Sequence, residues 1–163
     1  MILVKNPAKS PSRKLITKTT IQDKKRLARV KQENTAPELL VRQFLHAAGF
    51  RYRLHDERLP GKPDVVLPKY RTTIFVHGCF WHGHGAACSR GGKPPKANAE
   101  FWQTKFIYNT ERDQRNQTTL QDMGWRVIVV WECELKKSER GATLYRLMNE
   151  VLAADDVPER GYL

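Results

Sequence analysis

Apolar residues recur along this chain at two spacings, one typical of helices and one typical of strands. Thr35 is a good helix N-cap, Pro37 suits a first turn, and Glu38 stands three positions after the cap, as in a capping box. Gly49 is a typical helix stop. Between these signals runs an apolar stripe at helical spacing: Leu39, Leu40, Phe44, Leu45 and Ala48. The pattern predicts a helix that begins after Thr35 and ends at Gly49.

Short runs of apolar and β-branched residues follow, separated by turn signals. They predict strands at Phe50–Leu54, Val65–Leu67 and Thr72–Val76, with the segment LPGKPD (59–64) as the turn into the second strand. A long helix is predicted from about Ala99 to Met123, because Gly124 ends it. The remaining predicted elements are a buried strand and a last helix: Arg126–Trp131 and Leu144–Leu152.

The order of these elements predicts an α/β fold, with a central mixed sheet flanked by helices. The 163 residues suit one domain, which we place at residues 21–163. Residues 1–20 are rich in Lys, Ser, Thr and Pro without an apolar period, and they predict a basic, mobile N-terminal arm. The weakly periodic stretch Ile21–Glu33 is a possible first helix.

The charge balance indicates a polyanionic partner, because 29 Lys and Arg against 17 Asp and Glu give a formal net charge of +12. Nucleic acid is the usual partner of so basic a globular chain, although charge alone does not distinguish an enzyme from a binding protein. Three cysteines are an odd number, which argues against a disulfide framework and fits a reducing cytoplasm. Neither a membrane-spanning run nor a secretory signal is apparent.

Asp64 begins one predicted strand, and Ile74–His77 ends the next one. A carboxylate and a backbone carbonyl at one sheet edge can hold Mg²⁺, which prefers oxygen ligands. Such an ion would polarise a phosphate for phosphodiester hydrolysis. A single Pro-Asp pair is a weak signal, since most aspartates in this setting only make turns.

Three histidines and two cysteines are concentrated in HGCFWHGHGAAC (77–88), in a chain with five histidines and three cysteines in all. With the distant third cysteine they supply the four N and S ligands of a tetrahedral zinc site: Cys79, His84, Cys88 and Cys133. Cys79 and His82 also have a zinc-like spacing, so one or two histidines are spare. A spare histidine beside a phosphate is a natural general base.

Aromatic residues accompany this segment, with Phe80 and Trp81 inside it and Trp102 near the start of the long helix. They have two interpretations. They either belong to the core, or they form wedges that enter a DNA base stack.

The segments PGKPDVVLPKYRTTIFVHGCFWHGH, EFWQTKF, ERD and GWRVIVVWECEL closely resemble the very short patch repair endonucleases, in order and over roughly residues 33–136. The resemblance implies a fold like that of type II restriction endonucleases, with a structural zinc site. It also implies Mg²⁺-dependent nicking 5′ of the thymine in a T·G mismatch, which arises when 5-methylcytosine is deaminated. The implied partner is double-stranded DNA with that mismatch, and the implied setting is the bacterial cytoplasm at the nucleoid.

The resemblance also assigns roles to residues. Asp64 resembles the Mg²⁺-binding aspartate, and Val76 stands where a main-chain carbonyl binds the same ion. His82 resembles the water-activating base, His77 falls where related nucleases place a catalytic lysine, and Glu38 resembles a glutamate that orients metal-bound water. The residues that resemble the family's zinc ligands are Cys79, His84, Cys88 and Cys133. Those that resemble its intercalating aromatics are Phe80, Trp81 and Trp102. Lys105 and Asn109 resemble its mismatch-contacting residues.

Two alternatives stay open on the sequence. One is an endonuclease of the same fold that cuts matched DNA, of a homing or restriction type. The other is a non-catalytic, zinc-dependent DNA-binding module, which would not need Asp64 with His77 and His82. A monomer is expected, because an asymmetric mismatch offers no two-fold axis.

Overall fold

A computed structural model of the chain describes residues 33–85, 88, 91 and 98–153. The predicted arm at 1–20 lies outside the described residues, as does the possible helix at 21–33 except for its last residue. The described elements are α1 (Ala36–Ala47), β1 (Val65–Leu67), β2 (Thr72–His77), α2 (Ala99–Asp122), β3 (Arg126–Trp131) and α3 (Arg140–Leu152), with 3-10 turns at Pro68–Tyr70 and Glu132–Leu135. None of the described helices has the length and apolar character needed to cross a membrane.

Helices α1 and α2 both end at the glycines that the sequence indicated. Gly49 and Gly124 have φ values of 88° and 78°, in the left-handed region that glycine adopts at no steric cost. In each case the glycine amide and the next amide donate back into the last turn, which satisfies carbonyls that a helix end otherwise leaves unpaired. The four bonds are Gly49 to His46, Phe50 to Leu45, Gly124 to Gln121 and Trp125 to Leu120, at 2.9–3.0 Å.

The sheet has the strand order β1-β2-β3 and is mixed, as predicted. β1 pairs antiparallel with β2, with Val65 opposite Ile74, and β2 pairs parallel with β3, with His77 opposite Trp131. Because β2 and β3 run in the same direction, their carboxyl ends reach the same edge of the sheet. The segments that follow β2 and β3 therefore start side by side.

Alternate residues of β2 and β3 contribute to one hydrophobic core, which α1 and α3 cover. Its buried members are Val41, Leu45, Phe50, Val65, Leu67, Ile74, Val76, Ile128, Val130, Leu144, Leu147 and Val151. Side chains alternate between the two faces of a strand, so His77 lies on the face opposite to Val76. The core therefore fixes the face on which His77 appears.

The predicted strand Phe50–Leu54 is wrong. Only Arg53 pairs there, in an isolated bridge in which its N–H donates to Val66 O at 2.8 Å and its carbonyl accepts from Val66 N at 2.9 Å. β1 is three residues long and has no room for a longer ladder. The apolar pattern reflects side-chain packing instead, since Phe50 packs edge-on against Tyr70.

Two predicted boundaries also differ from the structure. β2 extends one residue further, to His77. α3 begins at Arg140, four residues before the predicted start at Leu144. The first three residues of α3 are exposed and carry no large apolar side chain, so no apolar period marked them.

Candidate active site and Cys/His metal site

A pocket of about 960 Å³ lies where β1 begins and β2 ends, between the start of α1 and the middle of α2. Most of the residues that the sequence singled out for chemistry or DNA contact line it: Glu38, Asp64, Val76, His77, Trp81, His82, Lys105 and Asn109. Phe80, Trp102 and the four predicted zinc ligands do not line this pocket. The structure therefore separates the predicted residues into two neighbouring groups.

Asp64 is held on the β2 side of the pocket by the antiparallel pairing of β1 with β2. Its Oδ2 accepts a hydrogen bond from Val76 N at 2.7 Å. Burial, opposed by the hydrogen bond from the Val76 N–H and assisted by the negative charge of Glu38, raises the pKa of Asp64 to about 6. A desolvated carboxylate beside a second acid is a favourable ligand for a divalent cation, which would remove the cost of burying both charges.

Glu38 is buried in the first turn of α1, and both of its carboxylate oxygens accept hydrogen bonds. Oε1 accepts from the Thr35 hydroxyl at 2.8 Å, and Oε2 accepts from Asn34 N at 2.8 Å and from Arg42 Nη2 at 2.9 Å. The predicted capping box does not form, because the Thr35 side chain does not cap the helix amides and Glu38 accepts from the backbone N–H of Asn34 instead of that of Thr35. Glu38 thus both organises the helix start and lines the same pocket as Asp64.

His77 and His82 lie on the other side of the pocket, with their rings stacked at a centroid distance of 3.9 Å and an interplanar angle of 9°. Burial, and then the nearby charge of His82, lower the pKa of His77 to about 3, so His77 is neutral at ordinary pH. Because the rings are in contact, only one of them can carry a proton at modest cost.

His82 is oriented by Asp113 of α2, whose Oδ2 lies 2.6 Å from His82 Nδ1. Burial acts to raise the pKa of Asp113, but hydrogen bonds from His82 and Arg112 outweigh it and lower that pKa below its ordinary value. An ionised Asp113 requires a hydrogen on Nδ1, which leaves Nε2 with a lone pair that can accept a proton.

Lys105 and Asn109 occupy the α2 wall of the same pocket. The Asn109 amide donates to Trp81 O at 2.8 Å, and this bond ties the loop after β2 to α2. Asn109 Oδ1 is buried and has no hydrogen-bond partner among the described residues. An unpaired buried acceptor is costly, so a ligand that brings a donor to this position would be favoured.

The predicted wedge residues pack against each other instead of standing free. Phe80 contacts Trp81, Trp102 and Phe106 at centroid distances of 5.0, 5.3 and 5.1 Å. Trp102 is 9% exposed, while Phe80 and Trp81 are half-buried. Of the three, only Trp81 lines the pocket.

The second group lies beyond the ends of β2 and β3. The ligand atoms of Cys79, His84, Cys88 and Cys133 lie within 4.8 Å of one another, and His84 Nδ1 is 3.3 Å from Cys133 Sγ. Neighbouring ligands of tetrahedral zinc are about 3.5–3.8 Å apart, so the four donors fit the ion in number, kind and spacing. His84 is further fixed by stacking on Trp131 at 3.9 Å and 1°.

The histidines that the sequence left interchangeable are separated by the structure. His84 joins the three cysteines, whereas His82 groups with His77 and Asp113. In the absence of a cation, burial and hydrogen bonds with the Cys79 and Cys88 thiols raise the pKa of Cys133 to about 12. A bound dication would reverse that preference, because it stabilises thiolates.

Sequence reasoning missed Asp113, Arg42 and His55 as parts of the site. Asp113 follows Asn109 by four residues on one helix face, and this spacing was an available signal. Arg42 follows Glu38 at the same spacing in α1. His55 lies in the segment between α1 and β1, where no periodic pattern marks it.

Comparison with known proteins identifies relatives of the chain. A model of the family described as DNA mismatch endonuclease Vsr matches residues 17–89. The chain is 50% identical to the type II nicking enzyme V.NmeAIP of Neisseria meningitidis over 77% of this chain and 88% of the relative. It is also 50% identical to V.XorIIP of Xanthomonas oryzae, over 76% and 87%. Identity to the DNA mismatch endonuclease Vsr of Escherichia coli is 41%, over 71% and 72%.

These similarities and the acid and histidine groups of the pocket define a DNA endonuclease, a hydrolase that acts on phosphodiester bonds. Nucleases of this kind use divalent metal, and DNA is the substrate. The chain belongs to the Vsr family, the very short patch repair endonucleases.

Proposed function

We propose that this protein nicks one DNA strand 5′ of the thymine in a T·G mismatch that arises from deamination of 5-methylcytosine. The observation that carries the proposal is the pocket in which Asp64 and Glu38 face His77 and His82. A metal-binding acid opposite an oriented base is what hydrolysis of a phosphodiester requires. The mismatch preference is supported by the similarity to the E. coli protein, whose name describes a mismatch endonuclease.

Asp64 and the Val76 carbonyl would hold Mg²⁺, and Glu38 would orient the water that attacks. When bound, Mg²⁺ polarises the phosphate and offsets the charge on the leaving oxygen. His82 Nε2 takes the proton from the attacking water, because Asp113 occupies Nδ1 and fixes the ring. His77 stays neutral, and a neutral ring can donate a hydrogen bond to the phosphate. A positive charge on His77 would oppose proton uptake by His82, because the two rings are stacked.

The Cys/His group would hold one structural Zn²⁺. Four protein ligands close the coordination sphere and leave no position for water, which is typical of structural sites. The ion would join the segments that follow β2 and β3. His82 lies between the ligands Cys79 and His84 in the chain, so the same ion would restrain the base.

Phe80, Trp81 and Trp102 would open the DNA beside the mismatch, and Lys105 and Asn109 would contact the mispaired bases. A T·G pair stacks less well than a matched pair, so inserting an aromatic wedge there costs less. We infer a restriction-endonuclease-like core, a monomer, and action on DNA in the bacterial cytoplasm at the nucleoid. The basic surface supplies contacts to phosphates that do not depend on sequence.

A second candidate, an endonuclease that nicks matched DNA at a set sequence, is favoured by relatives whose names say nicking enzyme without a mismatch. Duplexes that carry T·G, C·G or T·A at a fixed position with randomised flanks separate the two functions. After incubation with Mg²⁺, sequencing the strand ends maps each nick. Nicks only in the T strand of T·G duplexes support mismatch repair, and equal nicking of matched duplexes supports the second candidate. The Asp64→Asn variant controls for a contaminating nuclease.

A further inference from the structure

His55 lines the pocket on the side of Glu38 and Asp64, in the segment between α1 and β1. Its backbone has a φ of 46°, in the left-handed region that residues other than glycine adopt rarely. Such conformations persist where surrounding contacts hold them, and they are frequent at functional sites. The contact that holds the His55 side chain is a hydrogen bond with Arg42.

Arg42 is 5% exposed, and its guanidinium has a defined set of partners. Nη1 donates to Asn34 Oδ1 at 2.6 Å. Nη2 lies 2.9 Å from Glu38 Oε2 and 2.8 Å from His55 Nε2. Arginine is always a donor, so the two hydrogens on Nη2 go to the glutamate and to the histidine. His55 Nε2 must therefore be an acceptor.

This bond determines which nitrogen of His55 carries a hydrogen. A lone pair on Nε2 leaves Nδ1 as the nitrogen that bears it. Nδ1 makes no hydrogen bond to any of the described residues, and the ring lies in the pocket. A protonated Nδ1 also rules out His55 as a metal ligand through that atom. What remains is an N–H donor directed by Arg42.

This wall of the pocket is acidic, so it can bind an anion only where it also offers a hydrogen-bond donor. Glu38 and Asp64 repel a phosphate, and the cations nearby are engaged. Lys62 Nζ lies 3.2 Å from Glu33 Oε1 and 3.0 Å from Glu57 Oε1, and Arg42 is paired with Glu38. The His55 N–H is the donor on this wall that these ion pairs do not occupy.

We propose that His55 donates its Nδ1–H to a non-scissile phosphate of the DNA, and that Arg42 is the positioning residue that fixes its tautomer. The proposal rests on the proposed function, because it takes the pocket as the place where the DNA backbone lies.

The test compares His55→Leu with His55→Gln in the full-length, zinc-loaded protein. Glutamine can accept from Arg42 through its amide oxygen and donate through its amide nitrogen, whereas leucine can do neither. A hydrogen bond to a charged group corresponds to about a ten- to hundredfold change in affinity. For an intact duplex that the wild-type protein nicks, we expect His55→Leu to raise KM and Kd by about that factor with kcat little changed, and His55→Gln to stay near wild type.

A scan with single methylphosphonate linkages identifies the contact, because a methylphosphonate removes the charge of one phosphate. One linkage should weaken binding of the wild-type protein and have no further effect on His55→Leu. Unchanged KM and Kd in His55→Leu would overturn the inference, as would equal losses in both variants or identical methylphosphonate profiles. If the wild-type protein nicks DNA and His55→Leu binds the duplex as tightly as the wild-type protein, the His55 inference fails and the proposed function stands. A wild-type protein that binds no duplex would overturn the proposed function as well.

Discussion

Asp113 Oδ2 lies 2.6 Å from Nδ1 of His82, and this contact determines which ring nitrogen carries the hydrogen. The two residues are 31 positions apart in the sequence and are brought together by the loop after β2 and by α2. An aspartate that orients a histidine base in this way stabilises the proton that the base takes up.

Asp113→Asn should therefore lower kcat by about 10²–10⁴-fold with little change in DNA affinity, because an amide permits the wrong tautomer of His82. Single-turnover nicking and an equilibrium binding titration measure the two effects separately. Arg112→Gln is the matched control, since it also removes a hydrogen bond to Asp113 but leaves the carboxylate. A rate for Asp113→Asn equal to that of the control would exclude the orienting role.

The raised pKa of Asp64 predicts a pH-dependent stability effect. The folded protein retains the proton up to a pKa of about 6, whereas an unfolded aspartate has a pKa of about 3.9. Protonation thus stabilises the fold fully below about pH 4, and this contribution is lost as the pH rises through about 6. Asparagine does not titrate and can still accept from Val76 N. Without Mg²⁺, Asp64→Asn should be more stable than wild type above pH 6, and the difference should shrink toward pH 4.

Thermal unfolding at several pH values measures this difference, with no chelator present because chelation would also remove zinc. If the two proteins keep the same difference in melting temperature at all pH values, the Asp64 carboxyl is not desolvated. Adding Mg²⁺ should stabilise the wild-type protein and leave Asp64→Asn nearly unaffected.

His84→Ala and Cys133→Ser should lose zinc and unfold at lower temperature, because binding free energy contributes directly to folding in such sites. His82→Ala is the matched control, since it removes a histidine from the same segment but from the other group. Metal analysis of the purified proteins should give about one zinc per chain for wild type and His82→Ala. Loss of zinc from His82→Ala but not from His84→Ala would reverse the two assignments.

Trp81→Ala should weaken binding to a T·G duplex by roughly tenfold or more and weaken binding to a matched duplex less, because base–aromatic stacking contributes about 1–3 kcal/mol per base. Phe106→Leu controls for packing, since Phe106 belongs to the same aromatic cluster but does not line the pocket. Both duplexes are titrated at one salt concentration. An equal loss on both duplexes would indicate that Trp81 serves only to support the loop.

The parts of the structure that could be predicted from sequence are those that local chemistry determines. Gly49 and Gly124 ended their helices because a left-handed residue closes a helix whatever surrounds it. The stretch Phe50–Leu54 failed because a strand needs a partner, and the alternation of side chains does not show that β1 is too short to provide one. Likewise, the two metal-binding groups share one segment, and only the fold shows which histidine belongs to which group.

The parallel register of β2 and β3 places His77 opposite Trp131, so Cys79 and Cys133 each follow that pair by two residues. A slip of one residue would turn His77 toward the hydrophobic core and move one cysteine away from the other. Buried aliphatic residues such as Ile74 and Val130, which touch neither DNA nor metal in this proposal, therefore keep two chemistries aligned. Inactivating substitutions should thus arise in the interior of the protein as readily as in the pocket. A screen that measures activity alone would not distinguish substitutions that shift the strand register from those that remove a group lining the pocket.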